Sequence, residues 1–410
     1  MRIYYGWYIV AICSLVFALV VGGSIQAFGL FVLPVSEAFG LSRAETNTGA
    51  IILNVGMAFA SPVLGRILDR HSARRVMMLS AIAFGASMAV LGFSSNIWLS
   101  TFIIFVPLSA AVVGSGTLTS PALLARWFVV HRGRAMAIAT AGISLGPVAV
   151  VPIMGFAIEA VGWRQCLMLA GLLIGALLLL LAILVRDEPR QDEKEPGSGK
   201  AEHGSPAGDP DASDKSLTIG QLLKMARFWT VALGSALMFA VLTTDIVSLV
   251  PFAQGEGFSI TEAAGLMSTY GIVTLIGTLL YAWLGDRMNR IVVFAAMCLL
   301  MGASNAALLL AGSLVAMHVC VGFIGFAAGI CTPAFLAVIA DTFGAASFGI
   351  ATGSASFAST FMSAIAIRYG GEVFDRTGSY HMMFLSFLVF AIIAAVLVLS
   401  TIPLTRRRPG

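Results

Sequence analysis

Charged residues are scarce in this chain of 410 residues. Asp, Glu, Lys and Arg make up 11% of it, 59% is hydrophobic, and the mean hydropathy is +0.95. Soluble globular domains carry about 25% charged residues. A water-soluble core cannot enclose that much apolar surface, so lipid must cover part of it. The composition excludes an ordinary soluble protein and predicts one that is embedded in a membrane.

Paired cysteines and catalytic motifs are also lacking. The five cysteines lie within or at the ends of apolar runs, without the spacing of metal ligands. Neither a disulfide framework nor a metal site is therefore predicted. Gly142–Gly146 fits the G-x-S-x-G hydrolase pattern, but that motif needs a strand–turn–helix elbow and this copy lies within a long apolar run. We expect no catalytic residue, no cofactor, no nucleotide-driven pump and no nucleic-acid partner.

Long apolar runs are what the sequence has in abundance. The first one lacks a cleavage site, which predicts a retained helix and not a signal peptide. A helix needs about 20 apolar residues to cross a membrane. Twelve runs qualify, at about 7–33, 47–68, 74–94, 97–124, 135–157, 163–185, 227–252, 263–284, 290–311, 313–339, 347–367 and 380–403. The predicted fold class is an all-α membrane protein with twelve transmembrane helices.

One connection is long and polar. It mixes Pro, Gly, Ser, Asp, Glu and Lys, a composition typical of disordered linkers. We therefore predict a six-helix bundle over 1–186, a disordered cytoplasmic linker over 187–226, and a second six-helix bundle over 227–410.

Lysine and arginine are distributed unevenly between alternate connections. With the N-terminus inside, the outer loops keep only Arg43, Arg164, Arg368 and Arg376. By the positive-inside rule, both termini and the linker lie in the cytoplasm.

The two halves of the chain repeat each other. An offset of 217 residues (251 minus 34) relates landmarks that include Pro34 and Pro251, Glu45 and Glu262, and Asp69 and Asp286. Two S-x-x-E segments, Ser42–Glu45 and Ser259–Glu262, each predict a capping box that opens a helix. Parallel six-helix repeats are typical of transporters that hold substrate near mid-membrane.

The connection after the second run reads "GRILDRHSARR" over Gly65–Arg75. It resembles the loop signature of the major facilitator superfamily, and a weaker copy follows the eighth run. A glycine there would let two helices approach closely, and the Asp–Arg pair would make charge-assisted contacts with neighbouring helix ends. The alternative is a plain positive-inside loop. We expect gating by Gly65, Asp69, Arg70, Asp286 and Arg287.

Four passages resemble the monocarboxylate and oxalate–formate branch of that superfamily: Tyr4–Val10, Phe39–Thr46, Arg126–Gly146 and Phe374–Phe384. The resemblance implies transport of small or aromatic carboxylates, commonly with a proton. Two positions depart from the branch. Thr278 stands where the branch has a substrate-pairing arginine, and Thr119 where an aromatic residue is frequent. The departures favour a larger, neutral or zwitterionic substrate over a lactate-like one.

Ionisable residues inside apolar runs are costly and often functional. Asp245 is the only acidic residue deep in such a run, and we predict that it carries a proton or pairs with a cation. The alternative is an aspartate satisfied by adjacent helices or wetted at the outer mouth. His318 is a second titratable candidate, or a solvated structural histidine. Arg368 could replace the missing cation or extend to the membrane interface.

Uncharged polar residues complete the candidate site. Gln26, Asn54 and Thr332 are predicted cavity donors, and bridging between helices is the alternative.

The leading hypothesis is a secondary active transporter of small or aromatic organic acids in the cell inner membrane, coupled to protons and working by alternating access. Its partners would be an organic acid, a proton and the lipid bilayer. One alternative is an exporter of amphipathic or cationic compounds. Another, from a different class, is a polytopic membrane enzyme or receptor, for which no catalytic constellation or sensory domain is evident.

Overall fold

Twelve long helices dominate the structure, a computed structural model that describes residues 4–128, 131–189, 218–344 and 347–402. In the described residues, the helices with the length and composition of membrane spans are α1 Gly6–Phe39, α2 Arg43–Arg70, α3 Ala73–Phe93, α4 Ile97–Trp127, α5 Gly133–Val161, α6 Trp163–Leu184, α7 Ala226–Gly255, α8 Ile260–Trp283, α9 Arg290–Leu308, α10 Leu314–Phe343, α11 Phe348–Thr377 and α12 His381–Leu399. Each predicted run overlaps one of them, which confirms the fold class.

The helices begin and end where local chemistry dictates. Ser42 N donates to Glu45 Oε2 at 2.9 Å, and Glu45 N donates to Ser42 Oγ at 3.2 Å. Ser259 and Glu262 make the same pair of bonds at the same distances. Both predicted capping boxes are therefore confirmed. Gly40, with φ +63°, ends α1 in the left-handed region that favours glycine.

Residue contacts divide the chain into two compact units. The first comprises Met1–Leu41 and Gly49–Pro210, and the second comprises Ser42–Thr48 and Asp211–Gly410. The start of α2 thus belongs to the second unit, although the sequence assigns it to the first bundle. The physical reason is a set of hydrogen bonds between Ser42–Thr48 and α11, described below.

The same pairing of helices recurs inside each unit. In the first, α1 packs on α5 and α3 on α6, and in the second, α7 packs on α11 and α9 on α12. Helix α8 also packs closely on α10. A Cβ at Gly85 of α3 would lie 2.8 Å from Gly171 O of α6, so small residues permit the close approach. Each pairing in the first unit recurs six helices later in the second, as the sequence repeat predicts.

The predicted linker is ordered at both ends. Asp187 accepts hydrogen bonds from Ser72 Oγ and Arg74 N at the start of α3, at 2.5 and 3.0 Å. Ile219–Leu223 is a short helix that a capping box opens, and it buries Leu222. A disordered linker over the whole of 187–226 is therefore wrong at its ends, because these residues have bonding or packing partners. Its centre, including 191–215, lies outside the described residues.

Candidate functional site

Asp245 lies within α7 and is buried in the second unit, with 4% of its surface exposed. Its Oδ2 accepts a hydrogen bond from Asn305 Nδ2 of α9 at 3.1 Å. The same nitrogen donates to Met301 O at 3.1 Å, which fixes the amide on its own helix. So little exposure argues against an aspartate that contacts water at the outer end of the transport path. Its hydrogen bond with Asn305 joins α7 to α9. A coupling role for Asp245 stays a prediction.

The polar groups around Asp245 are only partly paired. Asp245 Oδ1, Asn305 Oδ1 and Ser248 Oγ are buried without a hydrogen-bond partner among the described residues. An unpaired buried polar atom costs about 1–3 kcal/mol of stability. A cluster of such atoms is therefore expected to serve a function that compensates for this cost. Sequence reasoning missed Asn305, whose only signal is an amide in the apolar run "MGASNAALLL".

Thr278 lies at the crossing of α8 and α10. Its Oγ1 donates to Thr274 O at 2.9 Å and to Gly329 O at 3.0 Å. A Cβ at Gly329 would lie 2.1 Å from Thr274 O, so the two backbones almost touch there. The hydroxyl of Thr278 is thus engaged with backbone. Thr332, on α10, is exposed.

His318 joins the same two helices. Its Nδ1 lies 2.7 Å from Thr269 Oγ1 of α8, and its side chain is half-buried. In the described residues, no hydrogen bond joins Asp245 to Thr278, Thr332 or His318, so the structure does not bring these four candidates into one bonded cluster.

The first unit holds the other three polar candidates. Gln26 Nε2 of α1 donates to Ile143 O of α5 at 3.2 Å, while its buried Oε1 has no partner among the described residues. The Oγ1 of Thr119 is buried and donates to Gly114 O at 3.0 Å. Asn54 Nδ2 donates to Ala50 O at 2.8 Å. Only Gln26 of the three bridges two helices through the bonds described.

Widened, π-helical turns interrupt α1, α4 and α5. They cover Gly22–Gln26, Ile104–Leu108, Val113–Thr117 and Gly146–Val150. Gln26 lies in the first of them, and Thr119 bonds to a carbonyl of the third. Such turns are frequent at functional sites. The sequence analysis missed them, and their signals are Gly or Pro within the interrupted turns.

The predicted gating residues are mostly exposed. Asp69 and Arg70 are exposed at the end of α2, and Arg287 stacks 5.6 Å from the Trp283 ring centroid. No described atom lies within 4 Å of a Cβ placed at Gly65. Among the described residues no helix therefore makes the close approach expected there, because none of their atoms faces the Cβ side of Gly65. The side chain of Asp286 lies outside what the structure describes.

Two of the four branch-like passages meet in the first unit. Tyr4 Oη donates to Trp127 O at 2.7 Å, and the Tyr4 ring packs edge-on against Phe128 at 5.6 Å. Trp7 also contacts Phe128, at 5.2 Å, and Arg134 lies 5.6 Å from the Trp7 ring centroid. The start of α1 is thus joined to the end of α4 and the start of α5 by aromatic contacts.

The other two passages meet in the second unit. The Asp375 carboxylate accepts hydrogen bonds from Arg43 N at 2.8 Å and Ala44 N at 2.9 Å. The Arg43 guanidinium lies 4.6 Å from the Phe374 ring centroid. Burial raises the pKa of Tyr380 to about 12, opposed by the nearby Arg43 cation, so the phenol is neutral at physiological pH. The branch-like passages therefore form helix-end contacts.

Comparison with known families identifies the class of protein. The sequence profile of the Major Facilitator Superfamily matches residues 10–367 and 253–410. The chain belongs to this superfamily, so it is a multi-pass membrane transporter and not an enzyme.

Its relatives confirm the resemblance to one branch. The chain is 24% identical to the uncharacterised MFS-type transporter YcxA of Bacillus subtilis (strain 168), over 95% of this chain and 94% of that protein. It is 26% identical to monocarboxylate transporter 13 of Rattus norvegicus, over 97% and 89% of the two chains. It is 24% identical to the oxalate:formate antiporter of Oxalobacter formigenes, over 55% and 50%.

Solved structures share the fold. A bacterial homolog of the human lysosomal transporter Spinster, inward-facing and unoccupied, matches with a TM-score of 0.75 at 16% identity over 100% of both chains. A D-xylose–proton symporter matches with a TM-score of 0.74 at 17% identity, over 99% of this chain and 100% of the other. At such identities the likeness establishes the fold alone.

Proposed function

We propose that this chain moves small or aromatic organic acids together with protons by alternating access. The names of its relatives, monocarboxylate transporters and an oxalate:formate antiporter, support the substrate class. We place it in the cell inner membrane with both termini in the cytoplasm, on the positive-inside distribution of its cations.

The buried carboxylate of Asp245 carries the proposal of proton coupling. It is 4% exposed, and Asn305 donates its one described hydrogen bond. An ionised carboxylate is costly in such surroundings. A bound proton removes the charge and supplies an O–H donor, so loading and release of a proton can accompany a change of state. The same proposal includes substrate or coupling roles for Gln26, Asn54, Thr119, Thr278, Thr332 and His318. It also includes gating by Gly65, Asp69, Arg70, Asp286 and Arg287.

Reconstitution tests the proposal. Purified protein in liposomes, without nucleotide, would be given a panel of labelled monocarboxylates, dicarboxylates and aromatic acids, with and without an inward proton gradient. We expect at least one acid to accumulate above equilibrium under the gradient, and a protonophore to abolish the accumulation. Protein-free liposomes are the control. Carboxylate flux that does not depend on the proton gradient would contradict proton coupling. The absence of any carboxylate flux would contradict the proposed substrate class.

A second candidate is an exporter of amphipathic or cationic compounds. One observation favours it: Arg368, the cation that could replace the missing arginine, is already engaged. Arg368 Nη1 donates to Ala44 O at 3.1 Å and Thr48 Oγ1 at 3.0 Å, and Nη2 pairs with Glu372 at 3.0 Å. Exchange of protons for labelled lipophilic amines in the same liposomes would favour this function over the first.

A further inference from the structure

The start of α2 is bound to α11 through its backbone. The first N–H groups of a helix have no partner within it, and a negative charge is favourable there. Asp375 supplies that charge with both carboxylate oxygens, to Arg43 N and to Ala44 N. A Cβ at Gly371 would lie 2.4 Å from Ala44 Cα, so the two helix backbones almost touch. These bonds and this close approach form only when the segment Ser42–Thr48 is docked directly against α11.

A second set of bonds comes from the two turns of α11 that precede Asp375. Arg368 donates to Ala44 O and Thr48 Oγ1, and Glu372 bonds the same guanidinium at 3.0 Å. Glu372 Oε2 also lies 3.5 Å from Arg376 Nη2. The charged groups of α11 thus hold the segment at its backbone N–H groups, one carbonyl and one hydroxyl.

The same segment carries a buried side chain whose polar atoms are unpaired. Asn47 is 1% exposed, and neither its Oδ1 nor its Nδ2 has a hydrogen-bond partner in the described part of the chain. Leaving both atoms unpaired costs free energy, and any state that exposes position 47 to water would recover it. The unpaired amide therefore favours a state in which the segment is more exposed, while Asp375 and Arg368 favour docking, and such opposed contributions suit a contact that opens and closes.

We propose that Ser42–Thr48 is a latch, which Asp375 and Arg368 hold against α11 in this state and which opens at another stage of the transport cycle. The latch uses different residues from the Asp69 and Asp286 loops. The proposed latch can be tested without knowing the substrate or the coupling ion.

Labelling of a reporter cysteine tests the latch. Thr46 is 6% exposed and its Oγ1 bonds only to Ser42 O of its own helix in the described contacts, so Thr46→Cys is mild. Of the five native cysteines, all but the half-exposed Cys320 are buried, so the background carries Cys320→Ser. A membrane-impermeant maleimide then reports exposure of position 46 in the full-length protein.

Asp375→Asn should raise the labelling rate roughly tenfold, because an amide offers one acceptor and no charge to the two N–H groups; tenfold corresponds to about 1.4 kcal/mol. Asp341→Asn is the matched control, since Asp341 of α10 is an exposed acid of the same unit that pairs with Arg290 at 2.6 Å. We expect no change there.

Two results would overturn the latch. One is an unchanged labelling rate in an Asp375→Asn protein that stays monodisperse. The other is an equal rise in Asp341→Asn, or new labelling of the buried Cys331, because either would mean general loosening. Labelling needs no substrate, so a failure of carboxylate transport would leave the outcome interpretable.

Discussion

At the scale of single residues, a charge is easier to predict from sequence than its partner. Asp245 stands out because an acid in an apolar run is costly. Asn305 does not, because an uncharged amide is a common bridge between membrane helices. Nothing in the linear sequence pairs two positions on α7 and α9. The candidate acid could therefore be predicted, and the cluster that surrounds it could not.

Asp245→Asn is expected to abolish accumulation driven by a pH gradient while it retains substrate binding and exchange. The amide resembles the protonated acid in size and neutrality but cannot release a proton. Uptake under an imposed gradient, compared with counterflow in the same liposomes, separates the two activities. Glu256→Gln, an exposed acid at the end of the same helix, is the control. A stable Asp245→Asn protein that still concentrates substrate with the parent pH dependence would refute the role and make His318 the next candidate.

Thr278→Arg is expected to improve binding of small monocarboxylates roughly tenfold, since a hydrogen bond to a charged group contributes about 1.5–3 kcal/mol. Ligand-induced thermal shifts across a carboxylate panel measure the effect. Thr278→Val is the control, because it removes only the bonds to Thr274 and Gly329. The double variant with Asp245→Asn tests whether that acid captures the new arginine. An unchanged profile in both arginine variants would mean that position 278 does not touch substrate.

At the scale of helices, hydropathy predicted all twelve spans but not their irregularities. The first predicted run stops at residue 33, yet α1 continues through Pro34 to Phe39. Apolar runs end where composition changes, whereas helices end where the backbone turns, as at Gly40. The π-helical turns depend on packing between helices. At Gly22, for example, a Cβ would lie 2.7 Å from Gly146 Cα.

Gly146→Ala is expected to destabilise the protein by about 1–3 kcal/mol, the usual cost of overpacking. The added Cβ would lie 2.4 Å from Gln26 Oε1 and 2.7 Å from Gly22 Cα. Gly133→Ala is the matched control in the same helix, where no described atom lies within 4 Å of the new Cβ. The Tm of the purified variants checks this. Equal Tm values would mean that the α1–α5 crossing relaxes freely around the extra carbon.

At the scale of the whole molecule, the sequence repeat was predictable. The division of α2 between the two units, with Ser42–Thr48 in the second, was not. The constant offset of 217 residues and the paired capping boxes are local patterns, and they predicted two equivalent sets of six helices. The assignment of Ser42–Thr48 to the second unit depends on bonds between Arg43 and Asp375, which are 332 residues apart. Such a contact is decided by folding, and no local pattern encodes it.

The linker offers a test of topology for the entire chain. Residues 191–215 are polar and rich in Pro and Gly, so we expect disorder and early cleavage there. The sites should stop short of Asp187, which is bonded to Ser72 and Arg74, and of the short helix Ile219–Leu223. Limited proteolysis of inside-out vesicles, with fragment masses measured, locates the cuts. Right-side-out vesicles are the control and should be protected, because the positive-inside rule places this connection in the cytoplasm. Protection in inside-out vesicles would contradict the disorder. First cleavage in right-side-out vesicles would mean that all twelve helices have the opposite orientation to the one predicted.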